Sequence, residues 1–355
     1  MPEREQPDSR YFIFESVHGG RLDLWAVAEK KRFRLQKRAE QPIQLTAGPM
    51  DFFQPLPSRD GKQIFAVGKS PQAEVIRYDV HTRQFVPYLS GISAEGLAFS
   101  KDGQWVTFTS LPDGTLWRCK VDGTERLQLT FPPLRVLLPR WSPDGKQIAF
   151  NAILPDSGSE WSIYLISSNG GTPERILPGS AGQMDVNWFP DGNSVILGSF
   201  DVADNPIRTL DLRSKSVSTL TGSSGLFSPR VSPNGRYVVA MTAGRPFKLM
   251  LFDISTHKWT EVFGSETAYP SWSQDGKYVY FRDAPFGGPP GHPPRISRLR
   301  LSHRHVENVV DEKDVGRITT GMNGVPWFGL APDDSPLFAR DISTQEIYAL
   351  EVDLP

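Results

Sequence analysis

The chain is poor in several features that often reveal a function. Its 355 residues include one cysteine, Cys119, and six histidines. An internal disulfide is therefore excluded, and Cys119, which lies in a strand-like run, is expected to be a buried and inert thiol. The 39 basic and 40 acidic side chains nearly cancel, which gives a net charge of −1. No global field favours a nucleic acid or an anionic membrane as a partner.

Long apolar runs and linear catalytic motifs are also missing. No run of about 18 apolar residues predicts a membrane helix, and the first ten residues lack the apolar core of a signal peptide. The sequence has no G-x-S-x-G, H-E-x-x-H, C-x-x-C or phosphate-binding G-x-x-x-x-G-K-[ST] motif. We therefore expect no cofactor, no metal ligands and no catalytic residue that a motif could identify.

One motif, in contrast, recurs along the whole chain. The stretch RWSPDGKQIAF, residues 140–150, is typical of a β-hairpin, because Asp-Gly makes a tight turn and apolar residues alternate beside it. Six strong copies carry this turn at Asp60 and Gly61, Asp102 and Gly103, Asp144 and Gly145, Asp191 and Gly192, Asn234 and Gly235, and Asp275 and Gly276. The glycines are 42, 42, 47, 43 and 41 residues apart. Two weaker copies have Ser9 and Asp334 at the glycine position.

A period of about 40–45 residues with four short strands per repeat predicts a β-propeller, in which each repeat is one blade. One blade cannot bury both of its faces, so neighbouring blades must cover them, and closing the ring removes the free edges. The Asp-Gly turn would connect the innermost strand of a blade to the second strand. The aromatic residues expected to fill the space between blades are Trp141, Trp188, Trp272, Phe108, Phe150 and Phe281.

The W-S-P-D-G-K-x-I-x-F repeat resembles the WD-type repeat of TolB-like propellers over essentially the whole chain. The last residues, GLAPDDSPLFARDISTQEIYALEVDLP, resemble the end of extracytoplasmic propeller domains in bacterial sensor-regulators. Those proteins join a propeller to a winged-helix domain or a Ser/Thr kinase through a membrane helix. The resemblance implies a sensory role and a periplasmic location. Because no such partner domain is encoded here, the chain would be a detached sensory half.

We predict a single all-β propeller domain over residues 1–355, with residues 1–8 flexible. Eight blades are preferred, one or two of them with three strands, and seven blades with an extra hairpin are the alternative. The first copy lacks its inner strand, which indicates an excised domain. A complete chain without a signal peptide would instead stay in the cytoplasm.

Loop lengths favour one face of the propeller as the binding surface. The Asp-Gly turns and the loops between third and fourth strands lie on one face, here called the turn face. The loops between second and third strands and the connections between blades lie on the other, here called the loop face. The long insertions fall on the loop face, at 131–138, 154–160, 201–205, 284–294 and 311–326. Such loops often bind ligands, although neutral drift in loop length explains them equally well.

A group of charged residues is the sharpest candidate site. Six residues after the turn position, two copies carry Arg282 with Asp283 and Arg340 with Asp341, and the first copy carries Glu15. If these copies are neighbours in the ring, the side chains form a charged arc that we hypothesise binds an anionic or peptide ligand. The alternative is a belt of ion pairs between blades, such as Arg282 with Asp341, which needs no ligand.

Two other clusters carry less information. Residues 30–38, KKRFRLQKR, are interpreted as a solvated hairpin tip, with an anionic partner as the alternative. His303 and His305 alternate along the chain but have no cysteine or carboxylate at ligand spacing, so metal binding is not expected there.

Two classes of function follow from these observations. The favoured class is a non-catalytic, monomeric binding module that presents its loop face to a protein, peptide or glycan. The alternative is a propeller lyase or hydrolase with a pocket in the central channel, which no linear motif would reveal. Three or more His, Asp or Glu side chains converging in that channel would favour the enzyme.

Overall fold

The computed structural model describes residues 4–5, 11–18, 21–28, 41–48, 50–154, 161–177, 182–199, 206–287, 292–319 and 326–353. Within these ranges the chain is all-β apart from a 3-10 turn at Glu312–Asp314, which confirms the predicted fold class. None of the described helical segments is long and apolar enough to span a membrane.

The strands of the described residues follow one another along the chain as β1 (Arg4–Glu5), β2 (Tyr11–His18), β3 (Arg21–Ala28), β4 (Ile43–Gln44), β5 (Asp51–Pro57), β6 (Gln63–Ser70), β7 (Ala73–Asp79), β8 (Gln84–Pro87), β9 (Ala94–Phe99), β10 (Trp105–Ser110), β11 (Leu116–Lys120), β12 (Leu127–Gln128), β13 (Arg135–Trp141), β14 (Gln147–Ile153), β15 (Ser162–Ser167), β16 (Glu174–Arg175), β17 (Gln183–Trp188), β18 (Ser194–Ser199), β19 (Arg208–Asp211), β20 (Val217–Thr219), β21 (Leu226–Val231), β22 (Tyr237–Thr242), β23 (Leu249–Asp253), β24 (Lys258–Phe263), β25 (Thr267–Trp272), β26 (Tyr278–Asp283), β27 (Arg295–Arg300), β28 (His305–Asp311), β29 (Phe328–Leu330), β30 (Pro336–Asp341) and β31 (Thr344–Glu351).

The contacts within the chain divide it into two compact units, residues 1–72 with 342–355 and residues 73–341. The predictions of a single domain over 1–355 and of eight or seven blades stay predictions. Of residues 1–8, which the sequence predicts to be flexible, Arg4 and Glu5 form β1 and the others lie outside the described residues.

The first unit contains two antiparallel sheets within its described residues. One sheet has the order β1-β2-β3-β4, and the other has the order β31-β6-β5. In the second sheet Ser70 of β6 lies opposite Thr344 of β31. The core of this unit includes Ile13, Leu24 and Ile64, which are completely buried.

The second unit contains six four-stranded antiparallel sheets in the ranges described. Five follow chain order, with β9–β12, β13–β16, β17–β20, β21–β24 and β25–β28. The sixth has the order β29-β30-β7-β8, so it joins the last strands of the unit to its first strands. Here Asp341 of β30 lies opposite Ala73 of β7.

These six sheets form a closed ring. Their innermost strands contact one another in the cycle β9, β13, β17, β21, β25, β29 and back to β9. Contacts between the turns of adjacent sheets show the same order. Gly192 lies 3.7 Å from Pro143 of the preceding turn, and Gly103 lies 3.4 Å from Pro332 across the closure, both measured from a Cβ placed on the glycine. A central channel runs between the six inner strands.

The Asp-Gly turns are held by a repeated set of hydrogen bonds. Ser142 Oγ donates to Asp144 Oδ1 over 2.7 Å and accepts the Gln147 N–H over 2.9 Å. Gly145 occupies the left-handed region with φ 71°, and its N–H donates to the Ser142 carbonyl over 2.9 Å. The same serine-to-acid or serine-to-asparagine bond recurs at Ser58, Ser100, Ser232 and Ser273. The serine hydroxyls lower the pKa of Asp60, Asp102 and Asp144, and hydrogen bonds from Lys277 and Ser273 lower that of Asp275 to about 2.

The tryptophan of the repeat links adjacent blades. Trp188 is 6% exposed, and its Nε1 donates to the Arg140 carbonyl of the neighbouring inner strand over 3.1 Å. Trp141 donates in the same way to the Ala98 carbonyl, and Trp272 to the Arg230 carbonyl. A buried indole thus fills space between blades while donating to a carbonyl of the neighbouring inner strand.

The strands that follow Gly61 are distributed differently from the expectation of one complete blade per copy. β6 pairs with β31 in the first unit, whereas β7 pairs with β30 and with β8 in the second. Both β6 and β7 thus pair with a strand more than 250 residues away along the chain. The sheets here therefore do not coincide with the repeats of the sequence.

Candidate functional site

The inner strands carry a repeated irregularity that shapes the channel. Five inner strands of the ring and β5 of the first unit have a β-bulge, whose left-handed residue stands seven positions before the turn glycine. These residues are Gln54, Gly96, Leu138, Asp185, Ser228 and Tyr269, with φ between 51° and 65°. A bulge re-aims side chains, and non-glycine residues in this region store strain that functional sites often exploit.

Four of the bulge residues line a cavity of about 330 Å³ at the loop face of the second unit: Leu138, Asp185, Ser228 and Tyr269. The rest of the lining is mainly apolar, with Met184, Phe227, Met241, Ala243, Phe247, Ala268 and Phe286, and the hydroxyls of Ser199 and Thr267 add polar groups. Because the inner strands begin and the second strands end at this level, the cavity lies at the mouth of the channel. We call it the loop-side cavity.

An aromatic and cationic rim borders the loop-side cavity. Phe247 lies in the loop between β22 and β23, and Phe286 in the loop between β26 and β27, with ring centroids 6.0 Å apart. The guanidinium of Arg245 lies over the Phe286 ring, 4.2 Å from its centroid. Phe286 is 45% exposed. It belongs to the insertion 284–294 that the sequence assigned to the loop face.

A polar network lies below the loop-side cavity. Arg230 Nη2 lies 2.6 Å from Asp185 Oδ1, and both side chains are largely buried. Ser228 donates its hydroxyl proton to Asp185 Oδ2, and the Asp185 N–H donates to Asn151 Oδ1 over 3.0 Å. The carboxylate of Asp185 is therefore held by a cation and a hydroxyl group.

A second cavity of about 370 Å³ lies on the turn-face side of this network, and we call it the turn-side cavity. Arg140 and Arg230 line it, together with Asn187 and Ser271. Tyr269 lines both cavities, so it marks the waist of the channel. The lining of the turn-side cavity combines cationic and polar side chains with apolar ones, whereas that of the loop-side cavity is mainly apolar.

Glu95, at the start of β9, is an isolated buried acid. It is 3% exposed, and neither carboxyl oxygen has a hydrogen-bond partner in the described structure. Burial raises the pKa of Glu95 to about 7, and the charge of Arg135 opposes this shift. Glu95 lies outside the linings of the loop-side and turn-side cavities.

The charged residues selected from the sequence are engaged in ion pairs within their own units. Arg282 is 4% exposed, donates through Nε and Nη2 to Glu312, and donates through Nη1 to the Pro326 carbonyl over 3.1 Å. Asp283 is 2% exposed and accepts the Arg295 Nε–H over 3.0 Å.

The other members of the predicted arc have partners as well. Arg340 donates to Glu74, and Asp341 lies 2.9 Å from Arg317 rather than beside Arg282. Glu15 belongs to the first unit and accepts the Gln54 N–H over 2.7 Å. These contacts agree with a structural use of the charges, and binding of a ligand by the five residues stays a prediction. The basic residues 30–38 lie outside the described residues.

The residues that line the channel were not among the site residues predicted from the sequence, although an alignment of the repeat copies contains a signal for them. Five positions before the turn glycine, the copies carry Leu56, Ala98, Arg140, Asn187, Arg230 and Ser271. When the copies are aligned, this inner-strand position has two arginines, whereas the other four copies have uncharged residues there. No cluster of three metal-binding side chains occurs within the described ranges, and the expectation of no metal ligands stays a prediction.

Comparisons with known proteins agree with the ring of sheets. A family model described as TolB beta propeller domain matches residues 98–289. A solved structure of a TolB-like protein from Agrobacterium tumefaciens superposes with a TM-score of 0.60 at 21% identity, covering 77% of this chain and 99% of that one. At this identity the likeness concerns the fold.

Two curated relatives are similar over part of the sequence. Uncharacterized protein Atu1656 of Agrobacterium fabrum is 28% identical over 214 residues, which cover 54% of this chain and 72% of that protein. Uncharacterized peptidase YuxL of Bacillus subtilis is 28% identical over 149 residues, which cover 40% of this chain and 21% of the peptidase. The chain thus spans about a fifth of the length of that peptidase.

Proposed function

The chain belongs to the TolB β-propeller domain family, and from this premise we propose that it is a non-catalytic module that binds a protein or peptide partner at its loop face. The loop-side cavity carries the proposal. It has about 330 Å³ of space, which lies at the lower end of the usual range for ligand sites and suits one large apolar side chain. The partner would insert such a side chain as an anchor.

The chemistry of the lining supports an apolar anchor. Met184, Met241 and Phe227 form flexible or aromatic walls, and methionine adapts its shape to different partners. The carboxylate that reaches the cavity, Asp185, is already paired with Arg230, so it adds little net charge. A glycan would need more polar groups around its hydroxyls than this lining offers.

The rim supports a peptide rather than a small molecule. Phe286 and Arg245 are exposed beside the cavity, and aromatic and arginine side chains are the types most enriched at protein-binding hot spots. A partner backbone that crosses this rim would contact them while its anchor fills the cavity. Such partial burial of an aromatic side chain is typical of an interface in its unbound state.

The channel offers little support for catalysis. Asp185 is the single carboxylate among the described residues that line the two cavities, and histidine is absent from both linings. A general base must reach its proton, yet this carboxylate already contacts Arg230 and Ser228. A role as the sensory half of a larger regulator, and a periplasmic location, are compatible with binding and stay predictions.

Selection from a random peptide library on the immobilised chain tests the proposal. We expect the enriched peptides to share a large apolar residue. Ala243→Trp, which fills the cavity from a loop, should weaken their binding at least tenfold. Phe131→Ala is the matched control, because Phe131 is 64% exposed on another loop-face segment and does not line the cavity.

Two results would contradict the proposal: a library that yields no enriched peptide, or peptides that bind Ala243→Trp as tightly as the unaltered chain. Near-ultraviolet circular dichroism and the melting temperature of each variant establish that the ring is intact. With that check, lost binding reflects the filled cavity rather than unfolding.

A further inference from the structure

The waist of the channel contains more positive than negative charge. Arg140 and Arg230 both line the turn-side cavity, five residues before their turn glycines in two different blades. One carboxylate, that of Asp185, pairs with Arg230. In the described part of the chain no carboxylate lies within ion-pair distance of Arg140, which donates through Nη1 to the Pro139 carbonyl over 2.9 Å. Two guanidinium groups therefore face a single carboxylate.

The arginines are placed where such an imbalance is costly. Arg230 is 4% exposed, and its Nε has no hydrogen-bond partner among the described atoms. Arg140 is partly buried, and burial together with the charge of Arg230 lowers its pKa, while the charge of Asp185 opposes this shift. Isolated charges in a poorly solvated site are destabilising unless they are paired. Each arginine thus keeps donor groups whose best partner is an anion.

The turn-side cavity supplies room and further polar groups for that anion. Its volume of about 370 Å³ exceeds what a single carboxylate or phosphate group fills. Asn187 of β17 and Ser271 of β25 occupy the same strand position as the two arginines. Both residues line the cavity as well. An oxyanion at this level could accept hydrogen bonds from side chains of several blades at once.

We propose that the turn-side cavity binds a ligand through an oxyanion group, a carboxylate or a phosphate, held by Arg140 and Arg230. The planar guanidinium presents two parallel N–H donors to two oxygens, a geometry that carboxylate and phosphate share. Access is from the turn face. The site therefore lies on the other side of the waist from the apolar loop-side cavity, and the Asp185–Arg230 pair stands between the two.

Isothermal calorimetry on the full chain with succinate, inorganic phosphate and chloride at constant ionic strength tests this site. We expect saturable binding of succinate, phosphate or both, and none of chloride. Arg140→Gln should weaken it at least tenfold. Arg213→Gln is the matched control, since Arg213 is exposed in the turn after β19, and it should leave the affinity unchanged. Binding of succinate alone identifies a carboxylate ligand, and binding of phosphate alone identifies a phosphate ligand.

A second variant keeps the inference falsifiable if Arg140→Gln folds poorly. Asp185→Asn removes the competing carboxylate, so the oxyanion should bind more tightly, by about threefold or more. The absence of binding by both oxyanions, equal binding by Arg140→Gln, or weaker binding by a folded Asp185→Asn would each overturn the proposal. The peptide selection does not depend on any of these results.

Discussion

Glu95 brings a carboxyl group to a position that the other repeats fill with apolar side chains. Eight residues before the turn glycine the copies carry Phe53, Glu95, Leu137, Met184, Phe227 and Ala268. The apolar surroundings disfavour the charged form, which is why the pKa of Glu95 is raised to about 7. At neutral pH this acid is therefore partly protonated in the folded state.

A dependence of stability on pH follows from this shift. Between pH of about 4.5 and about 7 the unfolded chain loses the proton of Glu95 more readily than the folded chain. The free energy of unfolding should therefore fall as pH rises through this window, by up to about 3 kcal/mol. Glu95→Gln should remove this fall, so the variant should be more stable than the unaltered chain at pH 8.

Urea denaturation of both proteins at pH 5, 6, 7 and 8 measures the effect. Other titrating groups contribute equally to the two curves, so their difference isolates Glu95. Parallel curves across this range would refute the assignment.

For the charged residues selected from the sequence, the repeat offset identified the residues but not their ion-pair partners. The repeat offset drew attention to Arg282, Asp283 and Arg340, which are ionisable and largely or partly buried. Their partners Glu312 and Glu74 stand in segments that the offset does not relate to them. An ion pair between distant segments depends on which blades adjoin, and a pattern of spacings in one repeat contains no such information.

At the scale of the element, local chemistry explains why the strands were predictable. The Ser-x-Asp-Gly turn satisfies its own hydrogen-bonding groups within six residues, so its sequence determines its conformation almost alone. The bulges were not predicted. Leucine and tyrosine at Leu138 and Tyr269 do not favour a left-handed backbone, and the packing of neighbouring inner strands imposes it.

The tryptophan links give a prediction for single blades. Trp188→Phe keeps most of the buried ring but leaves the Arg140 carbonyl without its indole donor. We expect a loss of about 1–3 kcal/mol in the free energy of unfolding, because a buried carbonyl loses an indole donor that water cannot replace. Trp259→Phe removes a similar bond to the Thr221 carbonyl at an exposed site, where water can replace it.

Urea denaturation of the two variants provides the comparison. A loss from Trp259→Phe of less than 0.5 kcal/mol is expected, on the order of an ordinary surface change. Equal losses from both substitutions would show that the link between blades adds nothing beyond a surface bond.

At the scale of the whole molecule, closure of the second unit depends on the sheet that joins its two ends. The repeat predicted many blades and a closed architecture, because each blade needs neighbours. It did not identify the sheet β29-β30-β7-β8, since every copy resembles every other and pairing between distant copies leaves no mark in the period. Contacts of such long sequence separation also form late and slowly in folding.

The aromatic core of the closing sheet allows closure to be tested. Phe338 of β30 is 1% exposed, and its ring lies 5.8 Å from that of Phe85 on β8. We expect Phe338→Ala to lower the free energy of unfolding by about 3–5 kcal/mol, the usual cost of truncating a buried phenylalanine. Phe150→Ala, in the middle of a sheet that follows chain order, is the matched control.

Thermal unfolding followed by calorimetry should show a similar fall in the melting temperature for both variants, in a transition that remains cooperative for the ring. A separate early transition confined to Phe338→Ala would mean that the closing sheet opens by itself.

Two long-range strand pairings determine where the chain enters and leaves the ring of six sheets. Ser70 lies opposite Thr344 in the first unit, and Ala73 lies opposite Asp341 in the second. Along the chain, the ring of six sheets is therefore inserted between β6 and β31, two strands that pair with each other. The ring is thus a cassette, an inserted segment that begins at Ala73 and ends at Asp341, which lie opposite each other. Such a cassette can be cut out by joining Gln72 to Ile342, or transplanted into a surface hairpin of another host protein.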